Sequence, residues 1–78
     1  MYDFKYRIWN NREQASFGDS NNLDDLLDFF IALARNDNLV EGDMIFDVET
    51  GESLYRFEDG TIIDCETLEE VYDIRTIS

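Results

Sequence analysis

Apolar residues follow helical spacing over only one long stretch of this chain, through Leu23, Leu26, Leu27, Phe30, Ile31 and Ala34, while the other apolar runs alternate with a period of two. One helix among several strands in 78 residues restricts the chain to a sheet with a helix laid on one face. Asn22 stands before the helical stretch as an N-cap. Asp24, Asp25 and Asp28 lie on its solvent side near the start, where the helix macrodipole favours anions, and Arg35 lies near the end, where it favours cations. Asn36-Asp37-Asn38 then breaks the helix.

The opening segment places Tyr2, Phe4, Tyr6 and Ile8 on one face and Asp3, Lys5, Arg7 and Trp9 on the other, as in a half-buried strand. A tight turn at Asn10-Asn11 folds it back, with Phe17 opposite Phe4 and Ala15 opposite Tyr6. A third strand runs through Met44, Phe46 and Val48, alternating with Ile45, Asp47 and Glu49. A two-residue turn at Thr50-Gly51 pairs Phe46 with Tyr55 and Met44 with Phe57, whereas a bulged loop there changes that register. Asp59-Gly60 is the strongest short-range hairpin signal and sets Phe57 opposite Ile62, so residues 43 to 65 read as a three-stranded meander. Thr67-Leu68-Glu69-Glu70 has the capping-box spacing of a short helical turn, and Ile74-Arg75-Thr76-Ile77 closes as a last strand. The expected architecture is one small acidic α+β domain over residues 1–78, an antiparallel sheet of about five strands with one amphipathic helix packed on one face. No linker, repeat or second domain is evident.

Nineteen acidic side chains stand against six basic ones, with no histidine, for a formal net charge of −13. In residues 1–15, Lys5, Arg7 and Arg12 outweigh Asp3 and Glu13 by +1; from Ser16 onward, 17 carboxylates face Arg35, Arg56 and Arg75 and leave −14. Disordered acidic chains lack apolar content, and 44% hydrophobic with 14% aromatic residues places this chain among those that fold. Proline is absent, so edge strands must rely on charge to discourage pairing between molecules.

Few chemistries suit this composition. Nucleophilic catalysis by serine or cysteine calls for an adjacent base, and there is no histidine; a glycosidase carboxylate pair needs a sugar cleft that a chain of this size has little room for. The chain therefore reads as a non-enzyme without a cofactor. Asp37 to Val48 matches the calcium-loop pattern at Glu41 and Gly42 but fails at Leu39 and Val48, which argues against a specific metal site. Glu49-Thr50-Gly51-Glu52 matches the turn by which some eukaryotic regulators engage a kelch-type adaptor, yet Thr-Gly between acids is also ordinary hairpin chemistry, and the structural reading is preferred. Cys65 has no disulfide partner, fits a reducing compartment, and reads as a small buried hydrophobe on a strand. The N-terminus is not a signal peptide and no apolar run approaches the roughly 20 residues of a membrane span, so a cytoplasmic location is expected.

The acidity itself points to a basic partner, since such a surface repels nucleic acid and anionic membrane. The candidate partner-binding residues are Asp24, Asp25 and Asp28 on the helix, Glu49 and Glu52 at one turn, Glu58 and Asp59 at the next, and Glu66, Glu69, Glu70 and Asp73 toward the C-terminus, with Trp9 as an exposed anchor. In size, charge and α+β organisation the chain resembles the small acidic inhibitors encoded by phages and mobile elements, among them anti-CRISPR, anti-restriction and DNA-glycosylase-inhibitor proteins. That resemblance implies a phage-encoded inhibitor that occupies the basic surface of a nucleic-acid-binding defence enzyme, such as a CRISPR effector, as a DNA or RNA mimic in the host cytosol. The alternative is an acidic interaction or structural module, such as a phage accessory or immunity protein, that works without mimicry through a few buried anchors.

Overall fold

The computed structural model describes residues 4–74. Six strands, β1 (Tyr6–Asn10), β2 (Ala15–Ser20), β3 (Met44–Asp47), β4 (Ser53–Glu58), β5 (Thr61–Asp64) and β6 (Glu70–Asp73), form one antiparallel sheet in the order β2-β1-β3-β4-β5-β6. Helix α1 (Leu23–Arg35) connects β2 to β3 and packs against β1, β2 and β3. The α+β class is as expected, with six strands among the described residues rather than five.

Helix α1 begins where Asn22 caps it, its side chain accepting from the Asp25 N–H at 3.1 Å. It ends in a Schellman arrangement: the Asp37 N–H reaches the Ala34 carbonyl at 3.1 Å and the Asn38 N–H reaches Leu33 at 2.8 Å, with Asp37 left-handed at φ 60. Its buried stripe of Leu26, Phe30 and Ala34 meets Ile8, Leu39, Ile45, Phe57 and Ile62 in the core. Gly18 lets the helix lie close to β2, since a Cβ there would stand 3.2 Å from the Phe29 ring.

Two register expectations are corrected. The first turn spans Asn11 to Gln14, so Ala15 faces Asn10 rather than Tyr6, and Phe17 is the extra residue where the register shifts. Asn10 decides this, because its side-chain oxygen accepts from the Glu13 N–H at 2.7 Å and so holds a wider turn. In β3 the buried residue is Ile45, opposite Ile8 and Tyr55, while Met44 and Phe46 face the other side opposite Arg56 and Ser53. Apolar residues occupy both faces of this strand, so alternation alone does not choose between them; the helix covers the Ile8 side, and that side became the core.

Asp59-Gly60 forms the expected hairpin, with both residues at positive φ, 53 and 76, and Phe57 opposite Ile62. No helical turn forms at residues 67–70; the chain turns through Cys65 to Thr67 and Glu70 begins β6. The last strand is therefore Glu70–Asp73; of the expected strand at residues 74–77 only Ile74 lies within the described residues, and it falls outside β6.

Contrary to the sequence expectation, the chain contains a repeat. Residues 44–57 recur as residues 61–74 at an offset of seventeen, with Ile45/Ile62, Asp47/Asp64, Glu49/Glu66, Thr50/Thr67, Glu52/Glu69 and Tyr55/Tyr72 identical. The two hairpins β3-β4 and β5-β6 share even their irregularity, a register shift that leaves Leu54 in one and Val71 in the other as the extra residue.

Candidate functional site

Each repeated hairpin turns on an aspartate at the end of its first strand. In β3-β4, Asp47 Oδ1 accepts from the Glu49 N–H at 2.9 Å and the Thr50 N–H at 3.1 Å; in β5-β6, Asp64 Oδ1 accepts from Glu66 at 2.8 Å and Thr67 at 3.3 Å. The Thr50 and Thr67 hydroxyls accept from the Glu52 and Glu69 N–H groups, each at 3.2 Å. Backbone bonds close both loops alike, the Gly51 N–H to Asp47 and the Leu68 N–H to Asp64 at 2.7 Å each. Because Asp and Thr satisfy the backbone internally, the glutamates of each turn are left to solvent, and Glu49, Glu52, Glu66 and Glu69 are all exposed.

The strand pairings put both turns at one end of the sheet, beside the start of β1, the end of β2 and hence the N-terminus of α1. Neighbouring hairpins repeat every two strands, which sets the two turns about 10 Å apart. Asp24 and Asp25 in the first helical turn join this acidic end, Asp28 follows one turn along the helix, and Glu70 stands where β6 begins. Glu58, Asp59 and Asp73 do not join it, for the β4-β5 turn and the end of β6 lie at the opposite end of the sheet. Trp9 is half-buried rather than exposed, on the sheet face away from the helix, opposite Met44 and Ser16.

A cleft of about 360 Å³ opens at the acidic end, between the start of α1 at Leu23 and the β4 and β5 residues Ser53, Leu54, Tyr55 and Asp64. Leu23, Leu54 and Tyr55 give it apolar walls; Glu52, Asp64 and Glu66 give it charge. Burial pushes the Tyr55 phenol above its ordinary pKa, and Asp64, Asp24 and Glu66 push it further by repelling the phenolate. Cys65 also lines the cleft, in the turn after β5 rather than on a strand, and burial raises its thiol pKa, opposed by Arg56 and assisted by Asp64. The cleft thus suits a positive group carried on an apolar stem, a description of lysine and arginine side chains.

The sheet face turned from the helix carries Arg7, Trp9, Met44, Phe46, Arg56 and Ile63 by strand alternation, with no element packed over it among the described residues. Its charges are matched locally: Arg7 pairs with Asp19 at 3.2 Å and Arg56 with Glu58 at 2.9 Å. Among the described residues the strongly anionic end and this mixed apolar, charge-balanced face are distinct exposed surfaces.

Sequence reasoning missed Asp47 and Asp64 as the turn-builders, Leu23, Leu54, Tyr55 and Cys65 as the cleft, and Leu68 at the second turn. The signal that would have found Asp47, Asp64 and Tyr55 is the fourteen-residue repeat at an offset of seventeen. Among the described residues no group of His, Cys, Asp and Glu is placed to hold a metal ion, and no helix is long and apolar enough to cross a membrane. No family model, curated protein or solved structure matches the chain, so the geometry of this acidic end carries the functional argument.

Proposed function

We propose that the chain is a non-enzymatic inhibitor whose acidic end occupies the basic, nucleic-acid-binding surface of a bacterial defence enzyme of the CRISPR-effector kind, in the host cytosol. The observation that carries this reading is the repeated turn: two stiffened loops at one end, each presenting exposed glutamates, beside the acids at the helix start. A mimic must hold negative charge in a fixed array, because flexible carboxylates pay ordering entropy on binding. Internal hydrogen bonding of the turns fixes the backbone from which the glutamates project.

The test is competition. A purified, guide-loaded effector is bound to fluorescent target DNA and titrated with the chain at low and high salt. Displacement of DNA that weakens with salt, and that Glu49→Gln, Glu52→Gln, Glu66→Gln and Glu69→Gln together abolish, supports the proposal; DNA left bound at every concentration rejects it for that enzyme.

A second reading, an acidic interaction module without mimicry, is favoured by the uncovered sheet face around Trp9, Met44 and Phe46. On this reading Trp9→Ala abolishes partner capture and the four glutamine substitutions leave it intact.

A further inference from the structure

We infer that Leu68 is the apolar anchor by which the acidic end seats on a protein partner, entering an apolar pocket of that partner rimmed by lysine and arginine. The inference rests on the reading of the acidic end as a binding surface and names the chemistry of what it binds. Leu68 is 71% exposed, the most exposed large hydrophobic side chain among the described residues. Its backbone is left-handed at φ 64, a conformation in which a bulky L-residue is strained.

The first copy of the turn shows that the loop does not call for leucine. Gly51 occupies the equivalent position at φ 78, and the two turns close with the same hydrogen bonds. Folding is therefore served better by glycine at residue 68, and an apolar side chain held in water at a strained position needs another reason. Val71, three residues on in edge strand β6, is also exposed, at 39%. Exposed Glu66, Glu69 and Glu70 flank Leu68 along the chain.

An apolar centre with a charged rim is the arrangement of a protein interface, in which the centre is desolvated and the rim stays wet. The rim chooses the partner. Phosphates of a nucleic acid, an anionic membrane and the same end of a second copy all carry negative charge and are repelled; a protein surface with basic side chains around an apolar pocket is complementary.

Two labelled peptides of equal positive charge serve as probes, oligolysine and an amphipathic helix whose lysines border a leucine groove, and their binding is read by fluorescence anisotropy at low salt. The wild-type chain is expected to bind the amphipathic peptide about tenfold more tightly than oligolysine, the order expected for burying part of one leucine. Leu68→Gly and Leu68→Asn, both compatible with positive φ, are expected to remove that preference while circular dichroism shows an unchanged fold. Binding of both peptides by the wild-type chain without preference, a preference that survives both substitutions, or loss of the fold in both variants overturns the anchor and leaves the acidic-end reading standing. Binding of neither peptide overturns the acidic-end reading and the anchor with it.

Discussion

Asn10 at the end of β1 donates from Nδ2 to Asp43 Oδ2 at 3.0 Å, and both residues are fully buried. The same carboxylate accepts from the Val40 N–H at 2.9 Å, while its other oxygen accepts from the Asn11 N–H at 2.7 Å. The Asp43 carbonyl accepts from the Phe57 N–H at 2.7 Å. One residue thus joins the first turn, the loop after α1 and strand β4. Asp43→Ala leaves three donors without their acceptor and is expected to lower the unfolding free energy by about 3 kcal/mol or more. Asn10→Ala, which removes one of those three donors and also the acceptor of the Glu13 N–H, is expected to cost about 2 kcal/mol. Urea denaturation of both variants checks the order.

The repeat makes the two turns a matched pair for backbone strain. Gly51→Leu puts in the first turn what the second already has, and nothing lies within 4 Å of a Cβ there, so its cost is that of the left-handed backbone alone, about 1–2 kcal/mol. Leu68→Gly is expected to gain about 1 kcal/mol for the same reason. Thermal melts of the two single variants should move in opposite directions.

Asp47 and Asp64 each satisfy two backbone N–H groups. Asp47→Ala and Asp64→Ala are each expected to destabilise by about 1–2 kcal/mol, and the double variant by the sum within about 0.5 kcal/mol, because the turns are separate units about 10 Å apart. A double-mutant cycle in urea measures the coupling.

Crowding of like charge at one end is expected to weaken the fold at low ionic strength. Replacing Glu49, Glu52, Glu66 and Glu69 by glutamine should raise the melting temperature in dilute buffer. The difference from wild type should vanish near 1 M salt, where the screening length is about 3 Å. A melting series in sodium chloride tests this.

Tyr55 and Cys65 both have raised pKa values in the fold, and both are groups whose charged form is the deprotonated one. The folded chain therefore holds these protons to higher pH than the unfolded chain does. Their contribution to stability is intact at neutral pH and is lost as pH rises above the ordinary thiol and phenol values of 9.0 and 10.0. Melting temperature should fall over that alkaline range. Iodoacetamide should modify Cys65 more slowly at pH 8 than it modifies free cysteine, because less thiolate is present.

Local chemistry was legible wherever neighbours in sequence settle the matter. Asn22 caps the helix it precedes, and Asp59-Gly60 makes the hairpin its two positive-φ positions demand. In the strand through Met44 the face that carries Ile45 turns inward even though Asp47 shares it, because Ile45 pairs with Ile8 on the side the helix covers; period-two patterning assigns a core face by itself only when the other face is polar throughout. The capping-box spacing at Thr67 gave a helical turn in sequence, yet the Thr67 hydroxyl serves the Glu69 N–H within a loop that Asp64 had already organised.

The sequence by itself determined the α+β class, the helix and its ends, the hairpin at Asp59-Gly60 and the excess of negative charge, since each depends on residues a few positions apart or on composition alone. Tertiary structure decided which face of β3 is buried, that Asn10 and Asp43 meet across 33 positions, and that the candidate acids divide between two opposite ends of the sheet. These turn on where strands distant in sequence pair and on which side the helix settles, and both are fixed by packing of the whole core rather than by any local run of residues.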